Sequence, residues 1–104
     1  MPRRLAVTAA VTAALALPAA VPTAAPAAVV DCNTWAFYPN LKISSARNMT
    51  CKAAKRDIRR HREGISRTFR TPGGFRCRRV SGTELGGQWR CVKGAKAYRF
   101  EFGD

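Results

Sequence analysis

Apolar and polar side chains alternate in three short segments between residues 75 and 102. The segments are GFRCRRVS, QWRCVK and AYRFEF, and in each of them the aromatic residues and cysteines fall on one side and the arginines on the other. A period of two is typical of strands that bury one face. Glycine-containing stretches at 82–87 and 94–95 separate the segments. The pattern therefore predicts a three-stranded antiparallel meander.

A helix is predicted upstream of these strands. Thr50 is a suitable N-cap, and Gly64 stands where a helix often ends. At 100° per residue, one side of this helix carries the small or apolar residues Cys51, Ala54, Ile58, His61 and Ile65. The opposite side is basic and carries Lys52, Lys55, Arg56, Arg59, Arg60 and Arg62.

A short extended piece is indicated around Leu41 and Ile43, which alternate with polar residues. The inner stripe of the helix is expected to pack on the apolar face of the meander. The predicted fold is therefore α+β, with one helix packed on a small three-stranded antiparallel sheet.

The first 27 residues have the layout of a secretory signal peptide, with Arg3 and Arg4 before an apolar stretch and small residues at Ala25 and Ala27. Prolines interrupt the apolar run well before the roughly 20 residues that a membrane span needs. We therefore expect cleavage after Ala27. Residues 28–104 would then be a single small basic domain, secreted, extracellular and without a transmembrane span.

Four cysteines, Cys32, Cys51, Cys77 and Cys91, lie in this predicted domain. In an exported chain of this length they predict two disulfides, which compensate for a small core. Zinc would require close cysteine pairs, which the spacing lacks, so no metal or other cofactor is expected. Three pairings remain open. A bond from Cys51 to a cysteine of the predicted strands is favoured, and a Cys77 to Cys91 bridge across the hairpin is the competing option.

The charge of the chain favours an anionic partner. After residue 27 there are 17 basic and 6 acidic residues, a difference of +11. We expect the basic helix face to bind a polyanion, with Arg76, Arg78, Arg90 and Arg99 of the strands adding positive surface. An anionic wall polymer, nucleic acid and an anionic lipid surface are the candidate partners, and the domain is expected to be a monomer. The alternative is that these cations only form a solvated surface that keeps the protein soluble.

Catalysis is not expected, because the predicted domain has one histidine and, once the cysteines are bridged, no free thiol. A secreted ribonuclease could use His61 with Glu63 or Glu84 as the base, but His61 and Glu63 stand two apart on the predicted helix and face different directions. A protein-directed effector, such as an inhibitor or a toxin, is the other alternative. The loop from Thr71 to Gly74 is its candidate contact.

Three stretches, NMTCKAAKR, GGFRC and CVKGAKAYRFEF, resemble a group of small exported actinobacterial proteins of uncharacterised function. The first is similar to the Ser/Thr-Cys-x-x-Ala-Arg/Lys stretch that opens their helix, and the resemblance covers residues 41–102. It implies secretion and a disulfide-stabilised α+β fold. It implies no activity and no catalytic residues.

Overall fold

The structure is a computed structural model that describes residues 28–103, and the predicted signal peptide lies outside this range. The described part contains six strands and one helix. The strands are β1 (Val29–Phe37), β2 (Leu41–Arg47), β3 (Thr68–Arg70), β4 (Arg76–Thr83), β5 (Gly86–Lys93) and β6 (Lys96–Gly103), and the helix is α1 (Cys51–Arg59). All six strands form one antiparallel sheet in the order β1-β2-β6-β5-β4-β3.

The path of the chain explains this order. Strands β1 and β2 form a hairpin, and α1 then carries the chain across one face to β3 at the far edge. The meander β4-β5-β6 returns toward the middle, where β6 pairs with β2. The first hairpin and the last strand of the chain are thus joined in one continuous sheet.

The predicted α+β fold with a three-stranded sheet is wrong, because the protein is mostly β. The second and third predicted strands lie within β5 and β6, and the first overlaps β4 but begins two residues before it. The missed pairing of β1 and β2 has a physical reason, since register irregularities between Asp31 and Thr34 and between Ile43 and Ser45 break the period of two. Strand β3 has only three residues, too few to show a period.

The helix begins where the sequence predicts and ends earlier. The Thr50 hydroxyl accepts a hydrogen bond from the Ala53 amide at 3.0 Å, which confirms the N-cap. The last helical residue is Arg59 and Arg60 is the C-cap, so the predicted end at Gly64 is wrong. His61 reaches the core region from the following loop, where its ring stacks on Phe69 with a centroid distance of 4.3 Å.

The core lies between α1 and one face of the sheet. Ala54 and Ile58 of the helix are fully buried in it, together with Trp89 and Phe100 of the sheet. The Trp89 and Phe100 rings are parallel, with centroids 5.5 Å apart. The Trp89 indole N–H donates a hydrogen bond to the Ser66 carbonyl at 2.9 Å, which ties the loop after the helix to the core.

Two disulfides are present, as predicted. One joins Cys32 of β1 to Cys51 of α1, and the other joins Cys77 to Cys91. The favoured pairing of Cys51 with a cysteine of the predicted strands is wrong, and the Cys77 to Cys91 option is the observed one. The reason is positional, because α1 packs beside β1 and β2, whereas Cys77 and Cys91 are directly opposite each other on β4 and β5.

Candidate anion-binding face of the sheet

The face of the sheet opposite α1, here called the open face, has no covering element within residues 28–103. Side chains alternate between the two faces of a strand, so the residues between the core positions point to the open face. Those with polar or aromatic side chains include Trp35, Lys42, Arg47, Arg70, Arg76, Arg78, Gln88, Arg90, Arg99 and Glu101. The open face is therefore strongly basic.

Three arginines, here called the arginine row, lie side by side across this face. Arg78 of β4 stands directly opposite Arg90 of β5, and Arg90 stands directly opposite Arg99 of β6. Neighbouring strands are about 4.8 Å apart, so three cations occupy adjacent positions. Like charges directly opposite each other destabilise a sheet. The arginine row thus costs the fold free energy.

No acidic side chain of residues 28–103 stands directly opposite an arginine of this row. Asp31 and Glu101 lie on the open face, but Asp31 stands opposite Ser45, and Glu101 stands opposite Lys42 and Gln88. Among residues 28–103, none of the side-chain hydrogen bonds involves a guanidinium. The arginine forks are consequently available to an external anion.

Two shallow depressions on the open face share Arg78 and Arg90. One extends toward β3 and is also lined by Arg70, Arg76 and Lys93. The other extends toward β2 and is also lined by Arg47 and Arg99. The two depressions form a continuous basic track across the strands.

A pair of aromatic residues, here called the aromatic corner, lies at the β1 edge of the open face. Trp35 and Tyr38 are in edge-to-face contact with centroids 5.0 Å apart, and the Lys42 ammonium lies 5.4 Å from the centre of the Trp35 ring. Tyr38 is 77% exposed and Trp35 is 38% exposed. A third depression joins Trp35 to Lys42, Gln88 and Glu101. The corner is thus next to an uncharged amide and a carboxylate.

The predicted basic helix face lies on the other side of the sheet from the arginine row. Lys52, Lys55, Arg56 and Arg59 are on α1, Arg60 is its C-cap and Arg62 lies in the following loop. The Arg59 guanidinium is 5.9 Å from the centre of the Phe37 ring, and Lys55 is half-buried. The sheet separates these cations from the open face, so one polymer segment cannot lie on both surfaces.

A buried carboxylate, which the sequence analysis missed, fixes the helix to the sheet. Asp57 accepts hydrogen bonds from the Tyr98 hydroxyl at 2.6 Å and from the Thr71 hydroxyl at 3.1 Å. Burial, followed by the hydrogen bond and the charge of Asp57, raises the pKa of Tyr98 far above its ordinary value. Helical winding would have revealed Asp57, because it lies only 60° from Ala54 on the inner stripe.

His61 and Thr71, which the sequence offered for other activities, are held by structural contacts. Nε2 of His61 lies 3.1 Å from the Gly64 carbonyl, and Glu63 is exposed on the loop beside it. Thr71 is buried and bonded to Asp57, which anchors the start of the loop from Thr71 to Gly74, whereas Pro72 and Gly74 are exposed. No group of three or more His, Cys, Asp or Glu side chains suited to a metal occurs in the described range.

The single helix of residues 28–103 is too short and too polar to cross a bilayer. Comparison of the chain with family sequence profiles, with curated proteins and with solved structures finds no match. The resemblance to small exported actinobacterial proteins therefore stays a prediction.

Proposed function

We propose that this chain is a secreted, non-enzymatic protein that binds an anionic polymer, and that the open face of the sheet is its binding site. The single observation that carries the proposal is the arginine row, in which Arg78 stands opposite Arg90 and Arg90 opposite Arg99, with no acidic residue of the described strands directly opposite any of them. Secretion is supported by the signal-like first 27 residues and by the two disulfides.

The arginine row matches the chemistry of a polyanion. Guanidinium groups donate paired hydrogen bonds to phosphate or sulfate oxygens, and a bound anion would relieve the repulsion among three neighbouring cations. A polymer offers one charge per repeat, which suits a row of cations better than a single small anion does. Arg70 and Arg76 stand opposite each other beside the row and add positive charge toward β3.

The basic helix face takes a secondary role in this proposal. Its cations add to the positive field that attracts a polyanion over distances of about 10 Å at moderate salt. They do not contact a polymer that lies on the open face, because the sheet is in between. Direct binding by Lys52, Lys55, Arg56, Arg59, Arg60 and Arg62 is the competing prediction.

A salt titration tests the proposal. The oxidised protein would be titrated with linear polyphosphate, heparin and a wall teichoic polymer over a range of salt concentrations, beside a cationic control protein of equal charge. We expect at least one polymer to bind this protein more tightly than it binds the control protein, with an affinity that falls steeply as the salt concentration rises. Binding no tighter than the control for every polymer would mean that the cations form only a solvated surface.

A further inference from the structure

The open face separates its charged and its stacking groups. Trp35 stands opposite Lys42, Lys42 stands opposite Glu101, and Arg99 precedes Glu101 by two residues on the same strand. With strands about 4.8 Å apart and a rise of about 3.3 Å per residue, the Trp35 and Arg99 positions are about 12 Å apart. A ligand that spans them has a ring at one end and an anionic group at the other.

The carboxylate of Glu101 decides what kind of ring fits. Glu101, Gln88 and Lys42 share one depression with Trp35, and Lys42 stands opposite Glu101, so a ring placed there meets a carboxylate, an ammonium and a neutral amide. Glu101 offsets the charge of Lys42, so the depression does not favour the additional negative charge that the stacking ring of a sulfated or uronic glycan carries. In a nucleotide the base is uncharged and the phosphate lies on the far side of the sugar. A base also offers amino groups, which can donate hydrogen bonds to a carboxylate or to an amide oxygen.

We propose that the open face binds single-stranded nucleic acid, with a base on the aromatic corner and phosphates along the arginine row. This inference rests on the proposed function and names the polymer. Exposed aromatic rings bind unpaired bases by stacking, and a basic groove beside them follows the backbone. Duplexes keep their bases stacked inside the helix, so the corner discriminates against them.

Tryptophan fluorescence provides a direct readout, because the two tryptophans differ in position. Trp35 is on the open face, whereas Trp89 is fully buried in the core on the other face. The probes are an eight-nucleotide oligodeoxycytidylate, whose bases carry amino groups and whose length is within the range of about 4–16 nucleotides that small domains cover, a duplex of equal length, and linear polyphosphate, which has no bases. We expect the single strand to quench the fluorescence of Trp35, and polyphosphate to bind without quenching.

Variants of the aromatic corner separate stacking from charge. The double variant Trp35→Leu/Tyr38→Leu keeps the charge of the protein and changes only exposed residues. We expect it to bind the single strand at least tenfold more weakly, since stacking is worth about 1–3 kcal/mol per base, and to bind polyphosphate within about twofold of the parent. Trp35→Phe, which keeps a ring, should retain most of the affinity and abolish the quenching.

The outcomes distinguish this inference from the proposed function. Equal losses for single strand and polyphosphate, or no loss for the single strand, would overturn the nucleic-acid inference and leave polyanion binding in place. A loss for heparin that matches the loss for the single strand would overturn it in favour of an anionic glycan. Failure of polyphosphate binding to depend on the arginine row would instead overturn the proposed function itself.

Discussion

The hydroxyl of Tyr98 donates a 2.6 Å hydrogen bond to Oδ2 of Asp57, which joins the central strand β6 to the helix. The same carboxylate accepts a bond from Thr71, whose hydroxyl also accepts a bond from the Phe75 amide at 3.1 Å. Helix, loop and sheet therefore meet at one buried acid. This contact fixes α1 on one face and leaves the other face to the arginines.

The Tyr98 contact predicts a loss of stability at alkaline pH. The pKa of Tyr98 is raised in the folded protein, whereas the unfolded chain ionises near its ordinary pKa of about 10. The stabilisation is thus complete below pH 10 and declines as the pH rises above that value, because the unfolded state releases a proton that the folded state keeps. The free energy of unfolding in urea, measured between pH 8 and 11, tests this decline.

Tyr98→Phe and Tyr38→Phe form a matched pair for this experiment. Tyr98→Phe should lower the free energy of unfolding at pH 8 by about 2 kcal/mol, since it removes a hydrogen bond to a charged group, and it should flatten the decline above pH 10. Tyr38 is exposed, so Tyr38→Phe should follow the parent. An alkaline decline in Tyr98→Phe as steep as that of the parent would contradict the assignment.

Glycine is predicted to be required at position 73 for stability, because Asp57 leaves no room for a side chain there. A Cβ at position 73 would collide with Oδ1 of Asp57. The carboxylate cannot move away without breaking the hydrogen bonds that it accepts from Thr71 at Oδ1 and from Tyr98 at Oδ2. Gly73→Ala should therefore destabilise the protein by about 2 kcal/mol in urea unfolding. Gly64→Ala, where a Cβ meets only open space, is the control and should change little. Equal stability of the two variants would show that the loop does not pack as described.

Arg90 is predicted to lower the stability of the fold. It lies between Arg78 and Arg99, so Arg90→Gln removes two like-charge contacts at once. The free energy of unfolding should rise by about 0.5 kcal/mol at low salt, and the gain should shrink as salt screens the charges. Arg62→Gln, in the loop after the helix, removes one charge without such neighbours. A gain of the same size in Arg62→Gln would mean that net charge, and not the row, is responsible.

The sequence predicted the parts of the fold in which pattern and structure agree locally. Trp89 and Cys91, two residues apart on β5, are both buried, as the period of two predicts. Thr50 begins the helix by accepting a hydrogen bond from the Ala53 amide. The strand β1 could not be predicted in this way. Its irregular register, with Asn33 at a positive φ of 48°, breaks the alternation that indicates a strand.

The candidate site depends on topology, which local patterns do not contain. The outward arginines Arg76, Arg78, Arg90 and Arg99 were identified from their alternation. That three of them form a row follows only from the registers of β4, β5 and β6. The position of the helix face on the opposite side of the sheet likewise follows from the crossover of α1. Sequence therefore indicated which residues are basic and exposed, and the fold determined which of them act together.

The most direct test of the open face compares two triple variants of equal charge. Arg78→Gln/Arg90→Gln/Arg99→Gln removes the arginine row, and Arg56→Gln/Arg59→Gln/Arg60→Gln removes three cations at the helix. The measurement is the slope of the logarithm of polyphosphate affinity against the logarithm of salt concentration, with circular dichroism to verify folding. We predict that the sheet variant reduces the magnitude of this slope by about 2, from about 0.7 per contact on a single strand, and that the helix variant changes it much less. Equal reductions in both variants, or a larger one in the helix variant, would contradict the assignment of the binding site to the open face.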